Sequence, residues 1–224
     1  MEKKYRIEKD PETGLSKIIA LKDFYDVKKG DVGGWIESEF NLSQYGDCWV
    51  YEDAYISENA RVSGNARVCG WSNVYGEARV SGNAIVSDSA QINEHALVSG
   101  FARVYGEAWV RGNAQVYGNA VISGTARIEG NAKIFENAKI GGDAEVYGKA
   151  KISGDVKLWS TDGPSVSTSI ENSKDYVILG SNKGEFYIYS SKIEGITITT
   201  DITLTAADYI KNIETIRQLY GEEV

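Results

Sequence analysis

The chain has 224 residues, with 24 Gly, two Pro, two Cys and a formal net charge of −8. Net acidity argues against duplex nucleic acid as a partner, and two cysteines are too few for a disulfide scaffold or an all-Cys metal site. No apolar run is long enough to span a bilayer, so no membrane partner is expected, and the opening MEKKYRIEKD has no apolar signal core, which makes the cytoplasm the expected location.

Residues 1–35 read as an N-terminal hairpin cap. Asp10-Pro11-Glu12-Thr13-Gly14 is a turn between two apolar runs, and the resulting hairpin is expected to lie across the first coil of the repeat region that begins at Ile36.

Residues 36–159 are a six-residue repeat. In sixes from Cys48 the chain runs CWVYED, AYISEN, ARVSGN, ARVCGW, SNVYGE and onward to VKLWST without a register slip. The first place is Ala from Ala54 to Ala150, with Ser72 the exception, and the third is Val, Ile or Leu from Val50 to Leu158. Two earlier units, IESEFN and LSQYGD, keep Ile36 and Leu42 but put Ser38 and Gln44 where the aliphatic belongs. Small, variable, aliphatic is the period of a short strand with two inward residues. Gly at the fifth place and Asn, Asp or Glu at the sixth suit a corner that needs φ > 0 or a side chain bonded to its own backbone. Three units make one triangular coil, and successive coils pair as parallel strands roughly 4.8 Å apart.

Residues 160–224 are expected to hold a second hairpin (DYVILGSNKGEFYIYS, turning at Ser181 to Gly184), a strand (GITITTDITL) and a helix. Thr205 with Asp208 opens that helix as a capping box, Ile210, Ile213, Ile216 and Tyr220 line one side, and Gly221 ends it. The segment serves as a lid or an assembly piece.

The pattern of an aliphatic, three small or polar residues and a small residue, as in VSGNA at Val80 to Ala84, resembles the hexapeptide-repeat superfamily. The resemblance implies an all-β, left-handed parallel β-helix of about six to seven coils, commonly a parallel homotrimer, with acyl transfer from a coenzyme A or carrier-protein thioester as a frequent activity. The stretch GDVGGWIESEFNLSQYGDCWVY is also similar to bacterial and bacteriophage hexapeptide proteins labelled as transferases. A phage setting implies a bacterial cytoplasm and an action on host signalling or defence.

Function must come from outward positions, which recur at intervals of eighteen. The first face is expected to show Glu37, Tyr55, Asn73, Gln91, Trp109, Arg127 and Glu145. The second shows Ser43, Arg61, Arg79, Leu97, Gln115, Lys133 and Lys151. On the third, Trp49, Ile85 and Val121 alternate with Arg67, Arg103 and lysines, an apolar stripe that marks it as the oligomer interface. His95, the one histidine, sits at a corner beside Glu94 with Glu77 one coil below, an arrangement that could serve as a general base.

The leading expectation is a non-catalytic trimer that binds or sequesters a small anionic or nucleotide-like ligand through Arg61 with Arg79 and Arg67 with Arg103. Tyr75 and Tyr105 stand at corners where rings could stack on a base. No bound cofactor or metal is expected. The alternative is an acyltransferase with a coenzyme A thioester as donor and His95 and Glu77 as the catalytic pair. Weighing against it are the absence of an inserted loop in the repeat and the presence of a single histidine.

Overall fold

The computed structural model describes residues 2–160 and, beyond them, the backbone of strand segments at 165–166, 170–172, 178–182, 185–189 and 198–199. Two-residue strands recur every six residues, and each pairs in parallel with the strand three units on, as in Arg61↔Arg79, Arg79↔Leu97 and Leu97↔Gln115. The result is an all-β parallel solenoid of about seven turns, its three faces formed, among the described residues, by sheets of eleven, nine and seven strands. Among the described residues, no helix is long and apolar enough to cross a membrane.

The inside is two columns. Alanines from Ala54 to Ala150 and aliphatics from Val50 to Leu158 are no more than 1 % exposed. Side chains of fixed, small volume keep the interior narrow and close-packed. Ser72, the polar exception, is equally buried and donates its hydroxyl to Cys69 O at 2.7 Å, which offsets the cost of removing it from water. Each unit ties itself to the next coil through three amides. In one such unit Arg61 N–H donates to Ala78 O (2.9 Å), Ser63 N–H to Val80 O (3.0 Å) and Asn65 N–H to Gly82 O (2.7 Å). The corner turns on its fifth residue. Gly82 has φ +68, and a Cβ there would lie 2.9 Å from Gly100 N, so conformation and crowding both select glycine. Glu52, Glu58, Asp88, Glu94 and Glu136 occupy the same place with φ between 54 and 58. Four of their carboxylates accept the N–H of the glycine one coil on: Glu52 from Gly70, Glu58 from Gly76, Asp88 from Gly106 and Glu136 from Gly154, at 2.6–2.9 Å.

The N-terminal end departs from the expected register. Strand β1 (Tyr5–Lys9) pairs antiparallel with β2 (Ser16–Ala20), which pairs antiparallel with β3 (Val32–Ile36), and β3 runs parallel to Tyr55–Ile56. The hairpin is therefore present, but it extends the first-face sheet instead of only lying across its end. Trp35, not Glu37, stands beneath Tyr55, and Leu42 pairs with Val62, so Ser43 does not stand beneath Arg61. Ile36 and Leu42 are themselves the inward aliphatics, at 0 % and 1 % exposure. The first coil has two extra residues between Leu42 and Val50, and the cap uses that excursion. Gln44 Oε1 accepts the N–H of Lys4 (2.8 Å) and of Tyr5 (3.3 Å), while Tyr5 Oη donates to Leu42 O (2.6 Å).

At the other end Ile178–Asn182 pairs in parallel with Lys157–Ser160 and antiparallel with Glu185–Tyr189, continuing the third face. The pairing reaches Asn182↔Glu185, so the strands run through Ser181 and Asn182, which the sequence pattern assigns to the turn. Ile198–Thr199, within the expected last strand, pairs antiparallel with Ser165–Val166. The helix expected from Thr205 lies outside the described residues.

Candidate active site at the corner of the first and second faces

The corner after each first-face strand collects the polar side chains of successive coils. Gln91–Ile92 enters it, and Asn93, Glu94 and His95 turn the chain toward Leu97–Val98. His95 Nδ1 lies 3.3 Å from Glu77 Oε2, the two side chains being 58 % and 62 % exposed. A neutral ring that turns Nδ1–H to the carboxylate keeps its lone pair on Nε2, which is the form a general base needs. Glu94 has the left-handed conformation of the other acidic corners, φ 55, but among the described residues its carboxylate makes no bond to Gly112, the residue one coil on.

The neighbours are fixed by the same one-coil spacing. Asn93, 4 % exposed, donates through Nδ2 to Tyr75 Oη at 2.8 Å. Arg111 pairs with Glu129 (2.6 Å) and lies 5.8 Å from the Trp109 ring. Arg79 is exposed at the start of the second-face strand that follows Glu77. One corner thus holds an imidazole with its orienting carboxylate, a phenol, a carboxamide and a paired guanidinium, all within three coils.

The other expected residues are distributed differently. Arg61 and Arg79 are partners in register on the second face, but Arg61 is stacked on Phe40, 3.6 Å from its centroid. Arg67 lies over Tyr25 at 4.6 Å and is separated from Arg103 by Ile85. Both guanidiniums are engaged by aromatics of the N-terminal region, so neither pair is a free two-cation clamp. Tyr105, 38 % exposed, stands at the corner of the third and first faces, away from Tyr75. Trp49 requires a correction. It is 2 % exposed, edge-on to Phe24 (5.3 Å) and Tyr5 (6.2 Å), because the cap folds over it, so it does not belong to an exposed stripe. Ile85 and Val121 remain half-buried on the third face with Arg103 between them.

A cleft of about 380 Å³ at the corner of the second and third faces is lined by Asn119, Asn137, Lys139, Asp155 and Lys157; the outward third-face column contains the two lysines but not the three corner residues. Asn119 donates to Asn137 (3.1 Å) and Asn137 to Asp155 (3.0 Å), a side-chain ladder beside two lysines in register. The interval of eighteen that links Glu77 to His95 also links these residues, and Arg111 to Glu129, so the signal is present in the repeat.

A model of the YdcK β-solenoid repeat matches residues 54–70, 78–94 and 114–130. The chain is also similar to a protein of Escherichia coli (strain K12) named "Uncharacterized acetyltransferase YdcK", 53 % identical over 38 residues. That match spans 17 % of this chain and 12 % of the relative's length. The matched repeats, the unbroken six-residue pattern and the parallel solenoid it forms make the chain similar to hexapeptide-repeat β-solenoid proteins.

Proposed function

We propose that the protein transfers an acyl group from a thioester donor to an amine or hydroxyl acceptor, with His95 as the general base and Glu77 as its positioning residue. The contact of His95 Nδ1 with Glu77 Oε2 at 3.3 Å on an exposed corner carries this reading. Nε2 takes the proton from the acceptor as the acceptor's nitrogen or oxygen attacks the thioester carbonyl. The imidazolium, stabilised by Glu77, then protonates the departing thiolate. The name of the partial relative supports acetyl as the transferred group, and a coenzyme A thioester is the donor that the hexapeptide-repeat resemblance implies. The protein works as a homotrimer that meets its copies through the third face.

A second reading, non-catalytic binding of a small anionic or nucleotide-like ligand, is favoured by the cleft at Lys139 and Lys157. It carries with it the phage-borne role in sequestering a host signalling molecule. The two readings separate at His95. With acetyl coenzyme A and a panel of small amines and alcohols, His95→Ala is expected to lower turnover by roughly 100-fold or more. Its thermal unfolding should stay unchanged, because a corner ring supports no core. Glu77→Gln is expected to lower kcat without changing donor affinity. Turnover that survives in His95→Ala would remove the base from the mechanism. Calorimetry that finds acetyl coenzyme A or a nucleotide bound without turnover, and released by Lys139→Ala, would establish the second reading instead.

A further inference from the structure

Lys4 is 1 % exposed and Cys48 is 0 % exposed, and they meet beneath the N-terminal cap. Lys4 Nζ donates to Cys48 O at 2.8 Å, to Gly46 O at 3.1 Å and to Cys48 Sγ at 3.3 Å. A lysine amine held in contact with a thiol in a closed space is an unusual use of both residues. Two carbonyls alone would accept a neutral donor at lower desolvation cost than a cation. Neither residue has a part in the chemistry at His95, which lies two coils and more away along the chain.

We propose that Lys4 and Cys48 form an oxidative cross-link, a sulfenamide between Nζ and Sγ, that staples the cap to the first coil. The oxidant is hydrogen peroxide. Burial disfavours both charges, so the pair starts as thiol and amine. The amine takes the thiol proton as Sγ attacks one peroxide oxygen and breaks the O–O bond, and that proton goes to the departing hydroxide. This leaves a sulfenic acid, one water and a neutral amine in contact. The amine lone pair then attacks Sγ and expels hydroxide, which leaves as a second water with a proton from nitrogen. Sulfur loses two electrons, peroxide gains them, and thiol, amine and peroxide become the S–N bond and two waters.

The surroundings favour the second step. Burial, the largest influence, holds the Lys4 ammonium below its ordinary range, which keeps the amine neutral once its proton has left. The amine is already 3.3 Å from the sulfur, so ring closure competes with further oxidation at high effective concentration. Peroxide reaches the pair when the cap opens locally, and the new bond opposes the next opening. Cys69 supplies an internal comparison. It is half-buried at a corner, its Sγ lies 3.6 Å from Val86 O, and no lysine nitrogen bonds to it among the described residues.

The test is peptide mapping of the full-length protein after treatment with hydrogen peroxide. The expected product joins the Lys4 and Cys48 peptides at a mass two hydrogens below their sum. It resists trypsin at Lys4 and comes apart with excess thiol. In parallel, the thermal midpoint of the oxidised wild type should rise and fall back on reduction. Cys69→Ser should behave as wild type, and Lys4→Arg and Cys48→Ala should yield no linked peptide. Because the cross-link is read directly in the wild type, poor folding of a variant does not decide the outcome. Cys48 carrying added oxygen with Lys4 still cleavable would overturn the proposal. So would Cys48 left reduced after Cys69 has been fully oxidised.

Discussion

Glu58 shows how a corner residue can be conformationally strained and still stabilising. Its φ of 54 is costly for an L-residue, yet its carboxylate accepts the Gly76 N–H at 2.9 Å and its own N–H donates to Glu37 Oε2 at 2.7 Å. Glu58→Ala keeps the strain and leaves the Gly76 amide to solvent. Glu58→Gly loses the same bond but relieves the strain, so the glycine variant should be the more stable of the two by about 1 kcal/mol in urea unfolding. The opposite order would mean that strain has no part in the balance. At this scale the six-residue period makes much of the candidate site legible. It places Glu77 under His95, and the two meet. It is silent about the aromatics over Arg61 and Arg67, because Tyr25 comes from the cap, which does not repeat, and Phe40 from the first unit, whose register the count misplaces. A basic residue on a regular strand can be placed on its face, but whether it is free to bind a ligand depends on residues that the count does not place.

The first coil is the element in which pattern and structure diverge. Counting in sixes back from Cys48 makes Ser38 and Gln44 imperfect core residues. The two-residue excursion before Val50 instead makes Ile36 and Leu42 the core residues and frees Gln44 to hold β1. A count cannot detect an insertion where the small and aliphatic columns are both interrupted; the pairings of Trp35 with Tyr55 and of Leu42 with Val62 reveal it. The element joining cap to solenoid is β3, and its glycines permit the contact. A Cβ on Gly34 would lie 2.6 Å from both Ala54 O and a Val50 methyl. One obstacle is backbone and cannot rotate away. Gly34→Ala should therefore cost about 1–3 kcal/mol, the usual penalty of overpacking, and hydrogen exchange should show faster opening of 5–20 with the coils beyond Ala78 unchanged. Uniform destabilisation along the solenoid would instead mean that cap and coils open as one unit.

For the whole molecule, the open question of assembly rests on one face. With Trp49 covered by the cap, the third face offers Ile85 and Val121 on either side of Arg103. The corners that border this face carry Trp71, 71 % exposed, and Phe101, 62 % exposed, two large apolar side chains that a lone solenoid leaves in water. Apolar rungs framed by exposed rings are what a recurring subunit contact needs. Long parallel sheets with straight, regular rungs let equivalent faces meet along their whole length, so a small contribution per coil adds over the stack. If the trimer forms there, Ile85→Asp places an unpaired carboxylate in that contact and should weaken association by about 3–5 kcal/mol. Light scattering should then find monomer at concentrations where wild type is trimeric. Leu97→Asp, an equally half-buried position on the second face between Arg79 and Gln115, should remain trimeric. If Leu97→Asp dissociates and Ile85→Asp does not, the interface lies on the second face, close to His95, and the acceptor would reach the candidate base through a cleft between subunits.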